Sequence, residues 1–355
     1  MKKRSNVFAD TVTSFSIAGL TITLLIPLAP FLGLIDVPNA RSIHERAVPR
    51  GAGIGIFLAL LLTCSLFNFS LLKHYPLTFS AITLVFIIGL LDDLAGMHPK
   101  TKFAVIFVAT TLAFFEGIGI HSLGTYFGIE ANLGWMALPF TLFALSGFTN
   151  ALNLIDGLDG LAGSISLVIL SALLAVGYRH HDAFIVHIAA ISIAAVVAFL
   201  LFNWNPARIF MGDSGSLTLG FIISVLSVKA LDYLHPSVIF FLAAVPVIDT
   251  LVVMVRRKRR GGSMFAPDKT HLHHILLNFF DGNVKRTVLT LAVIQLIYSL
   301  TALMMMENIE ETFVVLLFGA NVVLVYIVTS TMLSNQERLQ SLHNEINMLR
   351  RKKYR

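Results

Sequence analysis

Eleven apolar stretches dominate the chain, falling near residues 12–34, 52–72, 77–91, 103–120, 133–150, 161–178, 183–202, 215–231, 237–255, 287–306 and 312–332. About 20 such residues make a helix that crosses the roughly 30 Å hydrocarbon core of a bilayer, and only helices or closed barrels satisfy their backbone polar groups there. Composition agrees: of 355 residues 56% are hydrophobic and 13% charged, with a mean hydropathy of +0.81, far too apolar for a soluble domain. The expected fold is an all-α integral membrane protein of about eleven transmembrane helices, with a polytopic domain over 1–332 and a basic tail over 333–355. The first stretch follows Lys2, Lys3 and Arg4 as a signal peptide would. No small-residue cleavage site follows Pro27 and Pro30, so it is expected to remain as a span. The single cysteine, Cys64, excludes a disulfide framework, a Cys-ligated zinc site and an iron–sulfur cluster.

A net charge of +6 would suit nucleic acid in a soluble protein, but in a membrane protein Lys and Arg mark cytoplasmic loops. Eleven spans put the termini on opposite sides. Twenty of the 26 Lys and Arg residues then fall on one side, eight of them from Arg256 to Arg286 and six from Arg338 onward. That side is expected to be cytoplasmic, with no nucleic-acid partner; Lys2, Lys3 and Arg4 stand against it. The tail repeats Leu339, Leu342, Ile346 and Leu349 at helical spacing among charges, as an amphipathic helix resting on anionic lipid would.

The acids carry the chemistry. Five aspartates sit in three short segments: Asp92-Asp93, Asn150-Ala-Leu-Asn153-Leu-Ile-Asp156-Gly-Leu-Asp159-Gly160, and Phe210-Met-Gly-Asp213-Ser-Gly. All three lie at span ends on the side assigned to the cytoplasm. One such Asp commonly caps a helix, but carboxylates converging at membrane depth from several helices mark a functional site. The third stretch has only 15 apolar residues, about 22 Å of helix, so Asp92 and Asp93 are expected to be recessed near the headgroups. Asp and Asn oxygens without cysteine suit Mg²⁺, which takes one or two carboxylates and fills its shell with phosphate and water. The glycines of the second and third segments each precede a new helix, whose N-terminus favours phosphate.

The longest polar loop ends Asp268-Lys269-Thr-His271-Leu-His273-His274. Three histidines could suggest zinc, but their spacing is not that of a finger. Beside an acidic metal site they fit phosphate neutralisation better. Gly212-Asp213-Ser214-Gly215 has the look of a serine-protease segment, with nothing else in support.

These segments, with Arg208-Ile-Phe-Met-Gly-Asp213-Ser-Gly-Ser and Pro267-Asp-Lys-Thr-His271-Leu-His273-His274, resemble the signatures of the polyprenyl-phosphate N-acetylhexosamine-1-phosphate transferases, in order over nearly the whole chain from Asp36-Val-Pro-Asn39. The His-x-His-His loop is most similar to bacterial undecaprenyl-phosphate GlcNAc-1-phosphate transferases that initiate O-antigen. It is less like the phospho-N-acetylmuramoyl-pentapeptide transferases, whose three histidines are consecutive. The resemblance implies a Mg²⁺-dependent enzyme, with Mn²⁺ as a substitute, that takes undecaprenyl phosphate from the bilayer and a UDP-N-acetylhexosamine from the cytosol and releases UMP. It implies Asn153 and Asp213 as metal ligands, Phe210 as the ring stacked on uracil and Asp159 as reader of the uracil edge. It makes Asp92 or Asp93 the base or the orienter of the lipid phosphate and matches Lys100, His271 and His273 to phosphate-contacting positions; from the residues themselves, Asp156 joins the catalytic candidates with His271 and His273, and Lys269 joins Lys100 as a contact to substrate. A bacterial inner-membrane location is implied, and a homodimer is compatible. GlcNAc leads among the sugars. One departure stands out: Pro-x-x-Gly-Gly of the family reads Pro49-Arg50-Gly51-Ala52-Gly53 here, so no site is expected from that turn. The rival from another class is a secondary transporter, for which Pro246 and Asp249 in the ninth stretch are the best residues.

Overall fold

A computed structural model describes residues 6–38, 46–261, 270–306 and 309–353, with side chains as far as Gln336 and at Arg338. Helix α1 (Val7–Leu32) leads into a two-residue antiparallel pair, β1 (Ile35–Asp36) with β2 (Val48–Pro49). Helices α2 (Gly53–Phe67), α3 (Phe69–His74), α4 (Pro76–Ala95) and α5 (Pro99–Phe115) follow, then a hairpin of β3 (Ser122–Tyr126) and β4 (Ile129–Asn132). The rest is helical: α6 (Ala137–Ile155), α7 (Leu161–His180), α8 (Ala183–Asn203), α9 (Asp213–Ala230), α10 (Pro236–Leu242), α11 (Ala244–Arg259), α12 (Leu272–Phe279), α13 (Val284–Met304) and α14 (Glu311–Lys353).

Every apolar stretch is helical over most of its length, but that is not a count of crossings. Among the described residues seven helices are long and apolar enough to cross a membrane, and eight if α10 and α11 form one bent span. The stretches at 52–72, 103–120 and 215–231 become α2, α5 and α9, which do not reach that length and apolarity together. The third stretch corrects the depth argument. Its helix, α4, runs 20 residues, about 30 Å, and Asp92 and Asp93 lie in its final turns rather than beyond a short span. The ninth stretch is also different from expectation. It breaks at Ala243 with a 92° bend, and Pro246 sits in the first turn of α11, where its missing N–H costs no helical bond.

Helix α9 stands at the centre and is buried along almost its whole length. Its sequence is poor in large side chains at the contacts because its neighbours approach backbone to backbone. A Cβ on Gly89 of α4 would lie 2.5 Å from the Asp213 carbonyl oxygen, and one on Gly53 of α2 would lie 2.1 Å from the Gly215 nitrogen. The hydroxyls of Ser216, Thr218 and Ser224 donate to carbonyls four residues back, so these polar side chains are satisfied inside the bundle. This packing brings the start of α9, the end of α4 and the end of α6 to one place.

Candidate active site

Asp213 is the first residue of α9, entered through Gly212 at φ +72. A side chain at 212 would be strained by that conformation and would lie 2.5 Å from Asp93 Oδ2. Asp93, only 3% exposed, accepts the backbone N–H groups of Asp213 (2.8 Å) and Ser214 (3.0 Å). One carboxylate on α4 therefore caps the N-terminus of α9 and holds the Asp213 side chain outward into the site. A guanidinium nitrogen of Arg50 donates to the Asp93 carbonyl.

Asp92 and Asp213 share a lysine. Lys102 Nζ, on the first turns of α5, lies 2.7 Å from Asp213 Oδ2 and 3.2 Å from Asp92 Oδ2. Asp92 Oδ1 accepts from Met97 N at 2.7 Å, which ties the turn between α4 and α5 to the same carboxylate. Asn153, in the last turn of α6, donates its amide to Asp213 (3.0 Å) and to Ser216 (2.8 Å). The family resemblance points to Lys100 as the phosphate-contacting lysine. That residue is exposed on α5, and Lys102 is the one set against the carboxylates. The two are separated by about 200° around the helix, so only one of them can face α9.

The loop between α6 and α7 carries Asp156 and Asp159. Asp156, half-buried, is pushed up to about 8 by burial and by the neighbouring carboxylates of Asp213, Asp93 and Asp159. Asp159 Oδ2 accepts from Asn205 Nδ2 (2.8 Å) and Ala207 N (3.0 Å). Asn203 joins the same two loops, accepting from Gly160 N at 2.7 Å and donating to Ile209 O at 2.9 Å. Phe210 follows, half-buried, its N–H donating to Pro49 O at 2.8 Å.

The turn from Pro49 to Gly53, from which no site is expected, proves to be part of the scaffold. Ala52 N donates to Phe210 O and Gly53 N to Met211 O, both at 3.1 Å. The departure from the family pattern falls where it does least. Ala52 has φ −57, open to any residue. The glycines that the geometry demands, Gly51 at φ +95 and Gly53 against α9, are both present.

His271 and His273 lie at the start of α12, both buried, with ring centroids 5.8 Å apart. His273 reaches the aspartate loop: a Cβ on Gly157 would lie 2.8 Å from its Nε2. Burial and the adjacent His274 press His273 down to about 3, so it is neutral at physiological pH. His271 Nδ1 is 2.7 Å from Asp249 Oδ2 on α11. Lys269 lies outside the described residues. Asn203 and Arg50 carry no separate signal in the sequence; Lys102 shows there only as one of two lysines following the Asp pair and Asp249 only as an acid in an apolar stretch, and the parts of all four depend on contacts between distant segments.

As to a metal, no three His, Cys, Asp or Glu side chains among the described residues form a cage. The donors that converge are acidic oxygens and an amide, with more carboxylates than Lys102 neutralises. That set fits a hard dication holding only a few protein ligands and completing its shell with phosphate and water. It does not fit zinc.

Residues 75–231, from the start of α4 through α9, match the family described as glycosyl transferase family 4. A probable undecaprenyl-phosphate N-acetylglucosaminyl 1-phosphate transferase of Bacillus subtilis is 31% identical over 309 residues, covering 83% of this chain and 84% of the relative. The undecaprenyl-phosphate alpha-N-acetylglucosaminyl 1-phosphate transferases of Yersinia pestis and Escherichia coli K12 are 29% and 28% identical, each over 78% or more of both chains. These relatives do not favour the muramoyl-pentapeptide or transporter readings. With its acidic motifs gathered at one end of the bundle, the chain belongs to glycosyl transferase family 4, together with these sugar-1-phosphate transferases.

Proposed function

We propose that this enzyme transfers GlcNAc-1-phosphate to undecaprenyl phosphate, the transfer its relatives are named for, with UDP-GlcNAc as the donor and UMP as the group released. The observation that carries the reading is the junction of Asp92, Asp213, Asn153 and Lys102 at the head of α9. Phosphoryl transfer asks little covalent chemistry of a protein; it asks for in-line positioning and neutralisation of charge.

An oxygen of the lipid phosphate forms a bond to the sugar-side phosphorus, the bond from that phosphorus to the bridging oxygen breaks, and UMP leaves with that oxygen. Asp213 and Asn153 would hold Mg²⁺, which when bound would supply charge neutralisation on the diphosphate. Lys102, bridging Asp92 and Asp213, offers a second cation at the same place. The Phe210 ring stacks on uracil, and Asp159, whose loop Asn203 and Asn205 hold in place, reads the uracil edge. Asp92 orients the lipid phosphate or takes its proton, whereas Asp93 holds the start of α9. A phosphate dianion is already a competent nucleophile, while Asp92 beside a second carboxylate and a lysine is electrostatically occupied, so direct attack is favoured over an aspartyl intermediate. The site faces the cytoplasm of a bacterial inner membrane, where the basic loops lie.

Pure protein, undecaprenyl phosphate and a panel of labelled UDP-sugars with Mg²⁺ test the proposal. A lipid-linked labelled sugar is expected from UDP-GlcNAc, and no product from any UDP-N-acetylhexosamine overturns it. Lipid-free enzyme should release no stoichiometric burst of UMP; a burst would favour the aspartyl route.

A further inference from the structure

An acid inside a membrane helix is costly and asks for an explanation. Asp249 on α11 is 2% exposed, and among the described residues it bonds to neither the acidic motifs nor the nucleotide loops. Both of its oxygens go to the histidine segment instead. Oδ2 meets His271 Nδ1 at 2.7 Å, and Oδ1 accepts the Leu272 N–H at 2.7 Å. His271, at the N-cap of α12, has no side-chain cap of its own, so this carboxylate supplies one from another helix. Arg256, two turns further along α11, donates to Thr270 O at 2.7 Å and braces the same segment. The 92° bend at Ala243 is what aims this stretch of α11 at the segment.

We propose that Asp249 is a positioning residue that acts through His271. Its carboxylate holds the proton on Nδ1 and fixes the ring, which leaves Nε2 as the atom presented to a substrate phosphate, in the arrangement by which carboxylates orient histidines in many sites. The inference rests on the proposed phosphoryl transfer and on the expectation from sequence that the histidine loop neutralises phosphate. It also gives the bent helix a role, since α11 carries the clamp that sets the histidine segment against the Asp156 to Asp159 loop, where His273 packs on Gly157.

Asp249→Asn is the discriminating change, since the amide keeps the shape but can turn an N–H toward Nδ1 and so impose the wrong tautomer. In full-length enzyme in detergent, kcat should fall about 10–100-fold with the KM for UDP-GlcNAc little changed, and Asp249→Glu should recover part of the loss. The decisive readout is a double-mutant cycle. In a His271→Ala background, Asp249→Asn should cost no more than about twofold further. An undiminished loss in that background, or wild-type kcat in the single variant, overturns the proposal. Should Asp249→Asn fail to purify as folded protein, Asp249→Glu enters the same cycle, and its loss must likewise vanish beside His271→Ala. Wild-type enzyme that makes no lipid-linked product would instead overturn the proposed function itself.

Discussion

Gly89→Ala adds one methyl group to α4, one turn before the aspartates, and it touches no substrate. The structure nevertheless makes it one of the most damaging small changes available. The new Cβ would lie 2.5 Å from the Asp213 carbonyl oxygen, 2.7 Å from its carbonyl carbon and 2.7 Å from Ser214 Cα. These are backbone atoms of the first turn of α9 and cannot rotate away. Restoring ordinary contact at 3.4 Å requires about 0.9 Å of separation between α4 and α9. That shift acts on the bonds by which Asp93 holds Asp213 N and Ser214 N, at 2.8 and 3.0 Å. Overpacking of this kind costs about 1–3 kcal/mol of stability, and a misplacement of about 1 Å at a reacting centre costs on the order of 100-fold in rate. The expected result is folded protein with a lowered melting temperature and kcat reduced about 100-fold, while Gly147→Ala on α6, where a Cβ meets nothing within 4 Å, leaves activity unchanged. Turnover and thermal unfolding of both variants in one detergent are the assay. Wild-type kcat in Gly89→Ala would refute the claim that close approach of α4 and α9 sets the catalytic geometry.

Asp213→Ala is expected to abolish transfer in a folded protein, Asn153→Ala to weaken it less, and chelation of Mg²⁺ to stop the wild type; near-normal turnover of Asp213→Ala at saturating Mg²⁺ would remove the metal assignment. Phe210→Ala should raise the KM for the UDP-sugar by the equivalent of about 1–3 kcal/mol of lost stacking, whereas unchanged KM with poor expression would make the ring a packing element. His273 has a folded pKa of about 3, below the ordinary histidine value of 6.5, so its contribution to stability is fully present above pH 6.5 and declines as pH falls toward 3. At pH 5 the loss is about 2 kcal/mol, and His273→Gln should flatten the fall in melting temperature between pH 7 and 5; an identical slope would refute the assignment. A cysteine at Ser263 in a Cys64→Ala background should react with impermeant thiol reagents in inverted vesicles and not in intact cells, and the reverse would invert the topology.

The membrane character of this chain follows from sequence alone, because hydrophobic run length is a local property and the bilayer judges each helix separately. The same holds for the acidic motifs, which stand out since charge is rare in such a chain, and for the glycines at 160 and 212, whose positive φ is dictated by the turns they occupy. What the tertiary structure decided is whatever depends on helix rotation and on contact between segments far apart in the chain. Lys102 faces Asp213 across 111 residues while Lys100 points away, a choice made by the rotation of α5 and invisible in spacing. Asp93 separates from Asp92 in the same way: adjacent residues on a helix diverge by about 100°, so one caps α9 and the other meets the lysine. The break at Ala243 left no mark in the apolar pattern, since both halves are apolar and nearby Pro246 sits harmlessly in a first turn. Asp249 reads as a stray charge until that bend turns it onto His271, 22 residues on. Hydropathy records how much surface a helix buries, but the direction its side chains face is settled only when its neighbours are in place.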